Sequence, residues 1–274
     1  MNLKTDIKRK IKTKYILRRV GFVVISFLLI ILLLVIILSN RPPEAISAPI
    51  KGTPENTESI VVLKPITTPV VQKKKTILIY HTHNDEAYYK GSKKYVESDI
   101  GRSFDENYNI ISVGQALKNN LESNNFKVIH DKCDNVSDGF NAAYDTSYKN
   151  IEKYVGNVDI FIDLHRDAYS QTEKNYIKRS SKEYAFIRMV VANGTNYNIK
   201  PHYSENLKLA KALDKELNNI IPGISKGIFL KDARLNQHVS DFCLLIEIGN
   251  EKNDIEQAIN STEIIAKALK EISY

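Results

Sequence analysis

Three apolar stretches of this chain each run into, or enclose, side chains that hold metal ions or move protons. Thr76–Tyr80 (TILIY) leads directly into His81-Thr82-His83-Asn84-Asp85-Glu86. Val158–Leu164 (VDIFIDL) leads into His165-Arg166-Asp167, and Glu247 lies inside Leu244-Leu245-Ile246-Glu247-Ile248-Gly249. Imidazole and carboxylate are the donors of a catalytic zinc site, which uses three protein ligands and leaves a fourth position open. His83 and Glu86 are three residues apart, a spacing that can place both side chains on one side of a helical turn. With His165 as the third donor they form a His₂Glu set, one of those found in zinc hydrolases. The helical HExxH pattern is absent. His81 precedes His83 by two residues and would face the same side if the strand persisted through both. It therefore stays open as the alternative first ligand.

Glu247 is the expected base. A carboxylate among Leu and Ile is costly to bury without a partner. Burial would raise its pKa and a nearby cation would lower it, so it could accept a proton from water near neutrality. Arg166 is a candidate for stabilising an oxyanion or binding a substrate carboxylate. Asp163 and Asp167 each lie two residues from His165, and either could orient its imidazole. His130, His202 and His238 read as hydrogen-bonded core or surface residues.

The elements that must position these groups follow from periodicity. A helix is expected over Asn107–Ser123, where Ile110, Val113, Leu117 and Leu121 recur at helical spacing. A strand follows at Phe126–Ile129 and a second helix at Phe140–Val155. A strand is expected at Tyr184–Ala192. A helix capped by Ser204 and stopped by Pro222-Gly223 comes next. Strands near Ile228–Leu230 and at Phe242–Ile248 precede a closing amphipathic helix, Asp254–Ile272. Strands alternating with helices predict an α/β fold with a largely parallel sheet flanked by helices, and open sheets of that kind gather reactive groups at the carboxyl ends of strands. Residues 75–274 suffice for one sizeable core.

The N-terminus sets topology. Residues 20–39 carry no charge, and about 20 apolar residues span a hydrocarbon core of roughly 30 Å. Residues 1–19 hold eight Lys or Arg against one Asp. A single-pass anchor is expected, with residues 1–19 cytoplasmic and the remainder extracytoplasmic; a cleavable signal peptide is the alternative, although the apolar run is longer than the usual signal core. Residues 1–19 account for the whole net charge of +7, so the basic balance gives no case for nucleic acid. Residues 40–74 hold six of the eight prolines and read as a flexible linker. Cys133 and Cys243 read as free thiols.

At the site residues the sequence resembles the stage II sporulation protein P family. The resemblance is carried by Ile79–Tyr88 (IYHTHNDEAY), Asp163–Asp167 (DLHRD) and Leu245–Gly249 (LIEIG), with Asn109–Gly114 and Asn236-Gln237 in support. It implies a zinc-dependent peptidoglycan hydrolase, cutting the muramoyl–alanine amide and the stem-peptide cross-link during engulfment in sporulation. Sporulation stage II proteins D and M would be its partners. It also implies a fold similar to zinc N-acetylmuramoyl-L-alanine amidases, whose Asp-Pro-Gly-His block is replaced here by Tyr80-His81-Thr82-His83. In those amidases the acidic ligand opens the first helix, so Asp105 and Glu106 stand as alternatives to Glu86. Two other readings are a zinc carboxypeptidase-type peptidase, with Arg166 or Arg234 receiving the substrate carboxylate, and a non-catalytic module that binds wall or a partner.

Overall fold

The computed structural model describes residues 74–89, 101–168 and 175–273. The expected anchor at 20–39 and linker at 40–74 lie outside these, apart from Lys74. Among the described residues no helix is long and apolar enough to cross a membrane.

A six-stranded sheet organises the domain. Its strands are β1 (Thr76–Tyr80), β2 (Lys127–His130), β3 (Ile160–Asp167), β6 (Ile187–Ala192), β7 (Ser225–Lys231) and β8 (Cys243–Asn250), in the order β2-β1-β3-β8-β6-β7. The first four are parallel, β6 is antiparallel to β8, and β7 is parallel to β6. The expected largely parallel α/β sheet is present. Central strands β3 and β8 are buried on both faces almost throughout, in keeping with their largely apolar sequences.

The helices are α1 (Ile110–Ser123), α2 (Ala143–Ile151), α3 (Tyr203–Ile220) and α4 (Ile255–Glu271). Ile77, Ile79, Ile162, Leu164, Ile246 and Ile248 point to one face of the sheet. There they join Leu117 of α1, Leu213 of α3 and Ile265 of α4 in the main core. Successive strand residues alternate faces, so Leu78, Phe161, Cys243, Leu245, Asp163, His165 and Glu247 belong to the other. Two smaller apolar clusters cover part of that face, one including Ile151 of α2 and one including Leu235.

Several elements differ from expectation. β3 continues to Asp167, so His165, Arg166 and Asp167 lie within the strand. The single strand expected over Tyr184–Ala192 is interrupted at Phe186. Its first part, β5 (Lys182–Ala185), pairs instead with β4 (Tyr176–Arg179) across a turn in which Ser180 takes φ 53°. The hairpin is tied to α4 through Gln257 Nε2, which donates to Glu183 Oε2 at 2.9 Å. Weak alternation in YIKR left β4 unmarked. The helix expected over 140–155 divides into α2 between two 3₁₀ turns. α1 begins later than Asn107 because Asn109 caps it, accepting from Ile111 N at 3.0 Å. α3 begins at Tyr203 rather than being capped by Ser204, and β7 extends to both sides of Ile228–Leu230.

Candidate active site

Strand β1 ends at Tyr80, and the chain turns through Thr82–Asp85. That early end separates the two histidines. His81 keeps the facing of Ile77 and Ile79 and enters the helix-covered side. Its Nδ1 lies 3.0 Å from Leu164 O, and its Nε2 lies 2.9 Å from His130 Nε2. Gly114 of α1 leaves the room for this pair, since a Cβ there would come within 2.6 Å of both Nε2 atoms. Burial lowers the His81 pKa to about 4 and that of His130 to about 3, so both rings are neutral at pH 7.

His83 is carried by the turn to the opposite side. Asp163 fixes the turn, its Oδ1 accepting from Thr82 N at 2.9 Å and its Oδ2 from Thr82 Oγ1 at 2.7 Å. The His83 ring stacks on Phe140 at 4.2 Å and meets His165 edge to face at 5.4 Å between centroids. Its Nδ1 is buried and has no hydrogen-bond partner. Burial, helped by the neighbouring His165 charge, lowers its pKa to about 4. The ring is therefore neutral, with a lone pair to offer.

Glu86 follows within one turn. Its segment is held to the start of α1 by Ile110 N, which donates to Glu86 O at 2.8 Å. Glu86 Oε2 accepts from Arg166 N at 2.8 Å and lies 3.4 Å from His165 Nδ1. On the other side of the ring, His165 Nε2 lies 2.9 Å from Asp163 Oδ1, out of line for a hydrogen bond. Burial opposes charge on Glu86, but the His165 charge and the Arg166 amide outweigh it and hold the pKa at about 2. Burial likewise works against a protonated His165, yet Asp163 and Glu86 together raise its pKa well above the ordinary value.

Strand register places Glu247 beside His165 on one side and Arg188 on the other. Arg188 Nη1 hydrogen-bonds Asp167 Oδ2 and lies 3.9 Å from Glu247 Oε2. Burial first, then repulsion from Asp167, pushes Glu247 up to about 7, against the pull of His165 and Arg188. A carboxylate poised there can exchange a proton near neutrality.

His83, Glu86, His165 and Glu247 line one cavity of about 460 Å³, together with Phe140, Tyr144, Phe229, Lys231 and Leu235. His81 is not among its lining residues, and neither are Asp105 and Glu106. Asp105 accepts from Asn107 within its own loop, while Glu106 is exposed and pairs with Lys132 at 3.3 Å. Arg166 touches the cavity, but its guanidinium donates to the carbonyls of Ala87, Asp167 and Gly101 at 3.0, 3.1 and 2.7 Å. Those bonds occupy the guanidinium expected to bind an oxyanion or a substrate carboxylate. Arg166 braces the segments around Glu86 instead.

Among the described residues no three His, Cys, Asp or Glu side chains stand in a closed metal-holding arrangement. The donors nevertheless suit a divalent cation. His83 keeps an unpartnered imidazole nitrogen and lines the same cavity as Glu86 and His165, and a proton on His165 offsets the charge that such an ion would offset for Glu86 and Asp163.

Sequence reasoning missed Arg188, Phe140 and Lys231. Arg188 had a readable signal, a charge inside the apolar run Ile187–Ala192, the same kind that drew attention to Glu247. Asn236 and Gln237 prove to be braces. Asn236 Nδ2 donates to Tyr144 O and Ser147 Oγ at 3.0 Å, and Gln237 bonds the backbone of Val190 and Ala192. His130 and His202 have hydrogen-bonding partners as expected, whereas both ring nitrogens of His238 are unpartnered.

Fold and site together define an α/β domain with a histidine–glutamate cluster on one face of its sheet. The chain belongs to the stage II sporulation protein P family, whose signature matches residues 43–270. Stage II sporulation protein P of Bacillus subtilis (strain 168) is 29% identical over 215 residues, covering 73% of this chain and 52% of the relative. The chain thus spans about half the length of that curated relative. Among solved structures, the CwlD amidase of Clostridioides difficile, in complex with the GerS lipoprotein, is 19% identical with a TM-score of 0.46, covering 72% of this chain and 95% of that one. The catalytic domain of CwlV, an N-acetylmuramoyl-L-alanine amidase of Bacillus (Paenibacillus) polymyxa var. colistinus, is 14% identical with a TM-score of 0.45, covering 72% and 94%.

Proposed function

We propose that this domain is a zinc-dependent peptidoglycan hydrolase, cutting the N-acetylmuramoyl-L-alanine amide, the stem-peptide cross-link or both. One observation carries the reading: His83, Glu86, His165 and Glu247 converge on a single cavity at the less-covered face of the sheet. Family membership supplies the substrate class. His83, Glu86 and His165 would hold Zn²⁺, and His81 stays out of the set because it is committed to Leu164 and His130. When bound, the ion would supply positive charge that polarises an amide carbonyl and acidifies water. Asp163 holds the turn that presents His83 and flanks His165. Glu247 takes a proton from the attacking water and returns it to the departing amine, with Arg188 favouring its charged form.

The uncharged run at 20–39, with its basic flank, supports a cell-membrane anchor that puts this domain outside the membrane, at the septal wall during engulfment. Sporulation stage II proteins D and M are the partners this reading expects. Digestion of purified peptidoglycan by the zinc-loaded chain, followed by mass analysis, tests it. Stem peptides freed at L-alanine identify an amidase, and split cross-links identify an endopeptidase. Loss of a terminal residue alone would point to a carboxypeptidase, and release of nothing would leave only a binding role.

A further inference from the structure

The cavity extends well beyond the groups that would react. From His165 and Glu247 it crosses β8 and β6 to β7, the last strand of the sheet. Register sets out its floor in rows. Glu247 lies beside Arg188, then Leu245 beside Val190 and Phe229, and one row further Ala192 beside Lys231. Four residues of strand and two strand spacings put the Lys231 backbone about 16 Å from that of Glu247. Four to five extended peptide residues cover that distance.

The cations around this cavity are nearly all committed. Arg166 is given to three backbone carbonyls, and Arg188 to Asp167. Arg102 bonds Asp85 at 3.3 Å and lies over Phe140, while Arg234 faces Asp145 at 3.8 Å. Lys231 differs. It is exposed, it lines the cavity, and its ammonium has no hydrogen bond or ion pair among the described residues. Two residues before it Phe229, 55% exposed, forms part of the same wall, with Phe140, 53% exposed, also lining the cavity. Phe140 is already stacked on His83 and lies under Arg102, whereas Phe229 carries neither contact. An exposed aromatic ring beside an unpaired cation at the far end of a cavity suits an elongated ligand with an apolar stem and a remote negative charge.

We infer that Lys231, with Phe229 beside it, forms a subsite for a carboxylate carried on the peptide arm of the substrate, several residue lengths from the bond that is cut. This rests on the peptidoglycan reading, since stem peptides carry carboxylates along their length. It also separates the cavity from that of a carboxypeptidase, which must hold a carboxylate next to the scissile amide. Lys231 is exposed near the end of an edge strand, so its replacement leaves the core intact.

The test uses the zinc-loaded full chain and two synthetic muramoyl peptides, one with free carboxylates and one with every carboxylate amidated. Binding is measured by calorimetry in the Glu247→Gln background, and hydrolysis is measured separately in the unmodified chain. Lys231→Gln is expected to weaken binding of the acidic peptide roughly tenfold, and Lys231→Glu more, without changing the amidated one. Lys231→Arg should restore most of the affinity. Equal effects on the two peptides, or none on the acidic one, overturn the subsite. Hydrolysis of either peptide by the unmodified chain decides the functional reading on its own, whatever the binding comparison gives.

Discussion

On one face of the sheet Ile77, Ile79, Ile162, Ile246 and Ile248 lie beneath α1, α3 and α4, fully excluded from water. On the other face Asp163, His165 and Glu247 stand on the same central strands, roofed in part by α2, a helix of nine residues. One strand therefore serves both purposes, with alternate side chains assigned to cohesion and to chemistry. The covered face can be apolar throughout because three helices bury it. The other face can hold charge because its side chains pair with one another and reach a cavity. His81 and His83 show the difference within two residues: the first is locked against His130 and the second keeps an unpartnered nitrogen.

If the faces divide the work in this way, substitutions should divide too. Glu247→Gln is expected to lower turnover by about 10²–10⁴-fold, while zinc content by metal analysis and the melting temperature stay unchanged. On the opposite face Ile246→Ala should cost roughly 2–5 kcal/mol in chemical denaturation, with turnover per folded molecule preserved. Gly114→Ala forces a Cβ against His81 and His130. An overpacked site of this kind is expected to lose about 1–3 kcal/mol, again with metal content intact.

The smallest effect concerns pH. His130 has a folded pKa of about 3, lowered by burial and by His81, against an ordinary value of 6.5. The unfolded chain therefore binds the proton first as pH falls. This contribution is complete above pH 6.5 and is lost progressively toward pH 3. His130→Gln should flatten the stability profile over that window in denaturation measured at successive pH values. An unchanged slope would mean that His130 is not buried as neutral imidazole.

Much of this division could be read in the sequence, because it rests on local patterns. The largely apolar runs TILIY, VDIFIDL and FCLLIEI mark the inner strands, and the polar residues within or just after them mark the site. Glu86 and Glu247 stood out as carboxylates near apolar strands, and both line the cavity. What could not be read depended on where a strand stops. Ending β1 at Tyr80 sends His81 and His83 to opposite faces, and continuing β3 to Asp167 turns Arg166 away from His165. Lys231 and Phe140 come from a sheet edge and a 3₁₀ turn, and only tertiary packing brings them to the cavity. The β4–β5 hairpin escaped notice because Tyr176–Arg179 is largely exposed, leaving its sequence without a buried face.

Measuring bound zinc and melting temperature in His83→Ala and His81→Ala, purified side by side, tests the division most directly. The account predicts that His83→Ala loses most of its zinc and melts, as apoprotein, close to the unmodified apoprotein. It predicts that His81→Ala keeps a full equivalent of zinc but melts several degrees lower, since a buried cavity costs stability. Full zinc in His83→Ala with its loss in His81→Ala would contradict the ligand set and the facing of the two histidines together.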